Sequence, residues 1–320
     1  MRSVDVPDLV GRAREQQPRA VARLISLVED VSPHLREVAA ALAPFTGRAQ
    51  VIGLTGPPGV GKSTSTSALV TSLRAQGKRV GVLAVDPSSP FSGGALLGDR
   101  IRMQEHATDP GVFIRSMATR GHLGGLSWAT PQALRVLDAA GFDVVLIETV
   151  GVGQSEIDVV SLADTTVVLL APGMGDGIQA AKAGILEIAD VFVVNKADRE
   201  GAEATVRDLK NMVAMSRRGV TGGSWRQPIV RTVASKLDGM DGVLAAIDGH
   251  QAWLVGHGEL ERRRTRRARA EIEAIALESV RSRIGVAEGD ALERMAKRVS
   301  AGETDPYTAA DRLVAGITNR

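Results

Sequence analysis

The sequence predicts an α/β protein with a doubly wound, mostly parallel sheet and additional helices at both ends of the chain. Seven short runs rich in β-branched residues alternate with helical segments between positions 50 and about 235. Several runs are apolar throughout, as expected for strands that helices cover on both faces. Polar or glycine-rich motifs follow directly after the runs, and doubly wound sheets bind ligands beyond the carboxyl ends of their strands.

The first region, residues 1–47, is predicted to be a helical extension. Residues 8–45 carry apolar side chains at helical spacing, and Pro33 separates them into two stripes. Pro44 and Gly47 close the region before the first strand. The stripes consist of Val21, Leu24, Ile25 and Val28, and of Leu35, Val38 and Leu42.

The central region, residues 48–255, is predicted to hold the sheet. Its apolar runs are separated by helical or glycine-rich stretches, which is typical of repeated β–α–β units. The runs occupy 50–55, 79–85, 112–115, 143–147, 166–171, 191–194 and 228–233.

The last region, residues 256–320, has no strand candidate and is predicted to be helical. A long, highly charged helix is expected over 259–283 and a second over 288–300. Asp305 followed by Pro306 favours the start of a third, because Asp caps an amino end and proline suits the first helical position. These helices carry too few apolar residues to form a core of their own, so we expect them to pack on the sheet or on another subunit.

The composition favours a soluble, cytoplasmic protein. The 320 residues carry a formal net charge of only +2, so the chain does not look built to coat nucleic acid. The absence of cysteine excludes disulfides and thiolate metal sites. The first residues lack the apolar core of a signal peptide, and no apolar run approaches the ~18 residues that span a bilayer.

A glycine-rich segment between the first strand and the next helix predicts a phosphate-binding loop. Glycines let a loop wrap closely around an anion, and its backbone N–H groups and the helix amino end then point at the phosphates. Lys62 would neutralise the β- and γ-phosphates, and the Ser63 hydroxyl would bind Mg²⁺. The predicted nucleotide-binding residues here are Gly56, Pro57, Pro58, Gly59, Val60, Gly61, Lys62, Ser63 and Thr64.

Asn195, Lys196 and Asp198 follow the sixth strand and predict a site that reads guanine. The Asp198 carboxylate can accept hydrogen bonds from N1–H and the 2-amino group of guanine, whereas adenine has neither donor. Such a mismatch is rejected strongly, because it leaves buried polar groups unpaired. Asn195 would hold the loop and reach N7, and the Lys196 stem would cover the base. A short loop after the seventh strand could also touch the base, although an ordinary polar turn would look the same. This second candidate loop is Ala234, Ser235 and Lys236.

Acidic residues at strand ends are candidate Mg²⁺ ligands. Glu148 ends the fourth strand where the wider GTPase pattern has an Asp, and the backbone N–H of Gly151 would sense the γ-phosphate. Asp86 ends the second strand and could bind the metal directly or through water, since Mg²⁺ prefers oxygen ligands and retains waters. Asp99 is a further candidate, for which a carboxylate in a surface turn is an equally good interpretation. Gln154 could position water or be an ordinary exposed amide.

Three long loops, 88–99, 116–127 and 172–179, are rich in glycine. Flexible loops beside a nucleotide suggest segments that the γ-phosphate orders and hydrolysis releases. Basic residues in or near them could meet phosphate or an acidic group of a partner, but each could equally be a solvated surface charge. These residues are Arg100, Arg115, Arg120 and Lys182.

Taken together, these residues resemble the MeaB/ArgK/MMAA family, the GTPase chaperones of methylmalonyl-CoA mutase. That family belongs to the SIMIBI class of P-loop proteins. The resemblance covers about residues 10–318 of the sequence. It rests on the blocks LTGPPGVGKST, VDPSSPFSGGALLGDRIRM, SMATRGHLGGLS, ETVGVGQSE, PGMGDGIQAAKAGI and NKAD, in that order.

The resemblance implies GTP or GDP and Mg²⁺ as cofactors, with Asp86, Asp99 and Glu148 as the acidic metal shell. It implies that the segment with Asp176 and Lys182 is mobile, carries the nucleotide state to the mutase and accelerates hydrolysis. The C-terminal helices resemble a dimerisation arm, so a homodimer is expected. The catalytic residues expected on this basis are Lys62, Glu148, Asp176 and Lys182.

The expected function is that of a GTP-hydrolysing chaperone. It would protect the adenosylcobalamin-dependent methylmalonyl-CoA mutase and gate loading or exchange of its cofactor. The cobalamin adenosyltransferase is a further candidate partner, whereas no membrane or nucleic-acid partner is expected.

Three other functions stay open from the sequence. A kinase or an amino-acid transport-related ATPase would use the same phosphate loop, although kinases rarely demand guanine. A metal-insertion GTPase would usually carry His or Cys clusters, whereas this chain has no Cys and five scattered His. Nucleic acid could bind the arginines of 262–269, but helical spacing spreads them round the axis, which favours a solvated or salt-bridged helix.

Overall fold

The computed structural model describes residues 4–30, 32–86, 103–118, 129–149, 161–173, 188–216, 223–287 and 291–318. The chain divides into two units, Met1–Glu261 and Arg262–Arg320. The first unit contains the sheet, and the second contains the C-terminal helices.

The sheet has seven strands in the described ranges, and every neighbouring pair is parallel. Each lies within three residues of the bounds that the sequence predicts, which confirms the α/β class and the doubly wound parallel sheet. The strands are β1 (Gln50–Thr55), β2 (Val80–Asp86), β3 (Val112–Ala118), β4 (Val144–Thr149), β5 (Thr165–Leu170), β6 (Val191–Val194) and β7 (Ile229–Arg231). Their order across the sheet is β3-β2-β4-β1-β5-β6-β7.

The described ranges contain ten α-helices, in three groups. Those before the sheet are α1 (Val6–Arg14), α2 (Pro18–Glu29) and α3 (Leu35–Leu42). Those between or after strands are α4 (Lys62–Ala75), α5 (Ala129–Ala139), α6 (Ala202–Ser216) and α7 (Met240–Gly256). The last three are α8 (Glu259–Ala287), α9 (Ala291–Ser300) and α10 (Pro306–Thr318).

The N-terminal helices share a core with the sheet. Leu24 and Ile25 of α2 are fully buried and belong to the same apolar cluster as Val145 and Ile147 of β4. The alternate residues of β4 point to the other face, where they pack with α4 and α7. Because successive side chains of a strand face opposite sides, a strand covered on both faces must be apolar throughout. The apolar runs in the sequence therefore reflect helices packed on both faces of the described strands.

Carboxylates at the amino edge of the sheet hold the backbone. Asp138 of α5 accepts hydrogen bonds from the N–H groups of residues 47–49, which lead into β1. Asp164 accepts one from the Val51 N–H, and Asp190 one from the Thr166 N–H. Buried backbone N–H groups need such partners, so these three acids have a structural role. Glu148 and Asp198, two of the acids predicted to act on a ligand, lie at the opposite, carboxyl edge.

The second unit is helical, and α10 begins where the sequence predicts. The Asp305 carboxylate accepts hydrogen bonds from the N–H groups of Tyr307 and Thr308, at 2.9 and 3.0 Å. The Thr308 hydroxyl donates to the same carboxylate, and these bonds lower the pKa of Asp305. The long helix α8 carries exposed apolar side chains: Ile272 is 68% exposed, and Leu277 and Val280 are also exposed. None of the described helices has the length and hydropathy of a membrane span.

Candidate nucleotide-binding site

The predicted phosphate-binding loop connects β1 to α4, which begins at Lys62. Gly56 opens the loop with a φ of +143°, and a Cβ at this position would lie 2.2 Å from the backbone oxygen of Leu169 in β5. No side chain fits there, because the Cβ would collide with the Leu169 backbone, which cannot rotate away as a flexible side chain could. The loop therefore leaves β1 in contact with the neighbouring strand, and glycine is required for that path.

The Lys62 side chain folds back over this loop. Its Nζ donates hydrogen bonds to the carbonyl oxygens of Gly56, at 2.5 Å, and Pro57, at 3.1 Å. The residue is only 8% exposed. A desolvated ammonium beside a turn of backbone N–H groups attracts an anion strongly, because the low dielectric leaves the charge poorly screened. The positive charge thus lies inside the loop where the sequence predicts phosphate.

Ser63 and Glu148 lie together at the carboxyl edge of the sheet. The Ser63 Oγ, in the first turn of α4, donates a 2.7 Å hydrogen bond to Glu148 Oε1. Glu148 is 1% exposed, and its backbone is level with Leu54 of β1 and Ala84 of β2. The central position of β4 in the sheet therefore fixes the carboxylate beside the amino end of α4. Two oxygen donors at this separation fit Mg²⁺, whose remaining ligands are commonly water and phosphate oxygens.

Asn195 connects three segments that are distant in sequence. Its Nδ2 donates to the Val60 carbonyl oxygen, at 2.9 Å, in the phosphate-binding loop. Its Oδ1 accepts hydrogen bonds from the Ala234 N–H, at 3.1 Å, and the Thr232 hydroxyl, at 3.2 Å. A Cβ on Gly61 would lie 2.6 Å from Nδ2, so the loop also packs closely on this amide. One buried side chain therefore fixes the phosphate-binding loop, the loop after β6 and the turn after β7 relative to each other.

Lys196 and Asp198 extend from the same loop. Lys196 adopts a φ of +56°, and its Nζ donates to the Gly59 carbonyl oxygen at 2.6 Å. Its aliphatic stem therefore spans from the loop after β6 to the phosphate-binding loop. The Asp198 side chain is 46% exposed and forms an ion pair with Lys236, at 3.5 Å between Oδ2 and Nζ. Asp198 thus presents a carboxylate that a ligand in solvent can reach.

Comparison with known proteins agrees with this geometry. Residues 21–289 match the family model described as methylmalonyl-CoA mutase-associated GTPase MeaB. The chain belongs to the MeaB family. Members of this family are GTPases, and the protein is accordingly a hydrolase that binds and acts on a guanine nucleotide.

Relatives of this MeaB-family GTPase cover almost its whole length. A protein of Pyrococcus abyssi described as a GTPase is 47% identical over 314 residues, which are 98% of this chain and 97% of the relative. The mouse protein named methylmalonic aciduria type A homolog, mitochondrial, is 34% identical, and the match covers 95% of this chain and 77% of that protein. The GTPase ArgK of Escherichia coli K12 is 36% identical over 79% of this chain and 78% of ArgK.

A solved structure confirms the fold. The crystal structure of an LAO/AO transport system kinase superposes with a TM-score of 0.71 at 26% sequence identity. The superposition covers 99% of each chain. The GTPase therefore shares the fold of that protein.

The structure brings the predicted phosphate residues, Glu148 and the predicted base residues to one edge of the sheet, whereas several other predicted residues lie outside its description. Gly151, Asp99, Asp176 and Lys182 lie outside the described residues, as do Gln154, Arg100 and Arg120. The backbone of Asp86 ends β2, and its side chain also falls outside the description. Within the described ranges, no group of three or more His, Cys, Asp or Glu side chains could hold a metal ion.

The roles of two residues near this site, Thr232 and Thr149, could not be predicted from the sequence. Thr232 is buried, and besides its bond to Asn195 its carbonyl oxygen accepts from the Ala197 N–H at 3.0 Å. Its only sequence signal is its position two residues before Ala234, because a threonine just after a strand is ordinary. Thr149, next to Glu148, places its hydroxyl 3.2 Å from the Thr55 hydroxyl.

Arg115, one of the basic residues considered for phosphate, has a structural partner. Its Nη2 donates to the Ser26 hydroxyl at 3.2 Å and forms an ion pair with Glu29, both in α2. Arg115 belongs to β3, so the pair fastens the N-terminal helices to the edge of the sheet. Arg115 therefore has a structural role and is neither a solvated surface charge nor a phosphate contact in this structure.

Proposed function

We propose that this GTPase is a chaperone of adenosylcobalamin-dependent methylmalonyl-CoA mutase that protects the mutase and gates loading or exchange of its cofactor. The observation that carries the nucleotide part is the Asn195 amide, which fixes three ligand-facing segments relative to each other. The segments that would contact the phosphates and the base are therefore held together. A change at the phosphates on hydrolysis would then also affect the segments that contact the base. The mutase partnership is supported by the name of the family and by the 34% identity to the mouse protein.

In this proposal the phosphate-binding loop and Lys62 hold the β- and γ-phosphates. The Lys62 ammonium exchanges its carbonyl partners for phosphate oxygens, and the Thr64 and Gly61 backbone lies along the chain of phosphates. Ser63 and Glu148 hold Mg²⁺, with Asp86 and Asp99 as further candidate ligands. The bound Mg²⁺ would supply charge neutralisation at the phosphates.

Asp198 reads the base by hydrogen-bond polarity. It accepts from N1–H and the 2-amino group of guanine, while the Lys196 stem covers one face of the ring. Asp198→Asn exchanges an acceptor for a donor at one position, so it should favour xanthine, which has a carbonyl where guanine has an amino group. Calorimetric titration with GDP and XDP measures this exchange. Retained preference for GDP in the variant would contradict the assigned role.

The proposed switch involves Gly151, Asp176 and Lys182. Gly151 lies on the chain two residues after β4 and would bond to the γ-phosphate. Asp176 and Lys182 follow β5 and would complete the charge stabilisation that fast hydrolysis needs. On this basis, hydrolysis is slow in the isolated GTPase and faster once the partner has arranged these residues.

GTP turnover with and without cobalamin-loaded mutase tests the chaperone assignment. We expect the mutase to raise the turnover number several-fold and to form a complex that depends on the nucleotide. Lys62→Ala, which removes the ammonium from the phosphate loop, is the control for contaminating GTPases. Unchanged turnover together with no complex would remove the chaperone assignment and leave the GTPase one.

A phosphotransferase is the second candidate, because the solved relative with the same fold is named a transport system kinase. Comparing the binding of GTP and ATP separates the two functions. The exposed Asp198 carboxylate favours guanine, since adenine offers it no donor at the matching positions. Equal affinities would contradict the guanine-reading site, and transfer of the γ-phosphate to an acceptor other than water would favour the kinase.

We further propose that the protein is a homodimer joined through its C-terminal helices. Three large apolar residues on α8, Ile272, Leu277 and Val280, are exposed and support this, because exposed apolar surface can mark a contact with another protein chain. Light scattering of the wild type and of Ile272→Lys tests it. We expect a dimer that the lysine dissociates, and a wild-type monomer would contradict the proposal.

Titration of the cobalamin adenosyltransferase in the same light-scattering assay tests whether that enzyme is a partner.

A further inference from the structure

The ion pair between Asp198 and Lys236 lies in the part of the site proposed to read the base. The Asp198 carboxylate follows β6, and the Lys236 ammonium follows β7. Their side chains are 46% and 68% exposed, with Nζ and Oδ2 3.5 Å apart. An ion pair this open contributes little on its own. Because one partner is the Asp198 carboxylate that is proposed to read the base, the pair bears on which base the site accepts.

Both partners of the pair are anchored to the same short stretch of backbone. The Ala197 N–H, next to Asp198, donates to the Thr232 carbonyl oxygen at 3.0 Å. The turn that carries Lys236 is held by the bond from the Ala234 N–H to Asn195 and by a bond from the Lys236 N–H to the Val233 carbonyl oxygen, at 2.8 Å. Backbone hydrogen bonds therefore link the segment that carries Asp198 to the turn that carries Lys236.

The second lysine beside Asp198 is engaged differently. The Lys196 Nζ donates to the Gly59 carbonyl oxygen at 2.6 Å, toward the phosphate-binding loop. Lys236 is thus the lysine that adds a donor to the base carboxylate. Nothing in the spacing of the sequence distinguishes these two roles, because both lysines lie in polar turns after strands.

An ionised carboxylate has about four lone-pair sites on its two oxygens. Guanine uses two of them through N1–H and the 2-amino group, so a lysine can stay bound at a third. Hypoxanthine, the base of inosine, lacks the 2-amino group and would leave one carboxylate oxygen without a base donor. An acceptor left unpaired under a bound base is costly, and that cost creates selectivity. A protein ammonium on the same carboxylate lowers the cost.

We propose that Lys236 is a specificity-determining residue that stays paired with Asp198 when the base binds and so lowers the discrimination between guanine and hypoxanthine nucleotides. This inference rests on the proposed guanine-reading role of Asp198. The pair would also become stronger when the base covers it, because a covered ion pair is less screened by water. The effect is directional, since it helps inosine nucleotides more than guanosine nucleotides.

The test compares dissociation constants of GDP and IDP for the full-length protein with Mg²⁺, measured by calorimetry. In Lys236→Met, we expect the ratio of the IDP constant to the GDP constant to rise about 3- to 10-fold over wild type, mainly through weaker IDP binding. Lys236→Arg keeps a cationic donor and should stay within about twofold of the wild-type ratio. Lys297→Met is the matched control, because Lys297 forms an exposed ion pair with Glu293 on α9.

An unchanged ratio in Lys236→Met would overturn the inference. Equal weakening of GDP and IDP would do the same, because it would mean that Lys236 acts only through its charge or by holding the turn. Asp198→Asn separates this failure from that of the proposed base-reading role. A switch toward XDP in Asp198→Asn with no effect of Lys236→Met rejects the Lys236 inference alone, whereas no switch rejects both.

Discussion

Two glycines of the phosphate-binding loop should respond very differently to the same substitution. Gly56 has a φ of +143° and touches β5, whereas Gly59 has a φ of +80° and has open space where a Cβ would lie. Gly56→Ala and Gly59→Ala thus add one methyl group each to the same loop. Comparing the two variants separates the free-energy cost of the backbone conformation from that of the steric clash with β5.

The magnitudes follow from the geometry. Alanine at Gly59 should lower the stability only through its left-handed backbone conformation, which costs about 1–2 kcal/mol. At Gly56 the new Cβ would start 2.2 Å from the Leu169 oxygen, so β5 or the loop must move by about 0.8 Å to reach the 3.0 Å that real Cβ contacts respect. Strain at such a φ costs about 1–3 kcal/mol, and overpacking costs about as much again. The total for Gly56→Ala is therefore about 2–6 kcal/mol.

Thermal unfolding of the nucleotide-free protein is the appropriate assay, because it excludes any effect of the substitutions on phosphate binding. A domain of this size loses about 2–4 °C in Tm for each kcal/mol. We expect Gly59→Ala to lower Tm by a few degrees and Gly56→Ala by clearly more. Equal Tm values for the two variants would refute the reasoning, since the contact with Leu169 would then carry no cost.

Three further predictions concern the surroundings of the site. Glu148→Gln keeps an oxygen that can accept from Ser63 but removes the charge, so the apparent Mg²⁺ affinity in nucleotide binding should fall about 10- to 100-fold, and an unchanged Mg²⁺ titration would contradict it. Asn195→Ala leaves a buried carbonyl and a buried N–H without their partner and should lower the free energy of unfolding by about 2–5 kcal/mol in urea titrations; a loss within error would show that water replaces the amide. The Arg74 side chain lowers the pKa of Asp109 below its ordinary value of 3.8, so their pair stabilises the protein above that pH and the stabilisation is lost as pH falls through the lowered pKa. The difference in unfolding free energy between wild type and Asp109→Asn should therefore be full at pH 7 and shrink below pH 3.8, and a constant difference would argue against the ion pair.

Much of the fold could be predicted because its signals are local. An apolar run covered on both faces reads as a strand without knowledge of its neighbours, and Asp305 before Pro306 marks a helix start through contacts within three residues. The phosphate-binding loop is equally local, since its residues are adjacent in sequence. The helices of 8–45 were predicted in type, although the break before Pro18 divides the first stretch into α1 and α2.

Contacts between distant residues could not be predicted in this way. Asn195 binds Val60 across 135 positions, and Ser63 meets Glu148 across 85. Both contacts depend on strand order, which places β4 directly beside β1 and β6 two strands from β1 on its other side. The sequence pattern contains the strands but not their order.

The sequence by itself therefore determined the α/β class and the phosphate-binding loop, and it predicted a carboxylate suited to guanine. Only the tertiary structure decided that Asn195 joins three segments, that Arg115 fastens α2 to β3, and that Lys236 rather than Lys196 pairs with Asp198. The physical reason is range. Periodicity, capping and loop chemistry act between near neighbours in the chain, whereas the partners of a buried or paired side chain are chosen by the packing of the whole sheet.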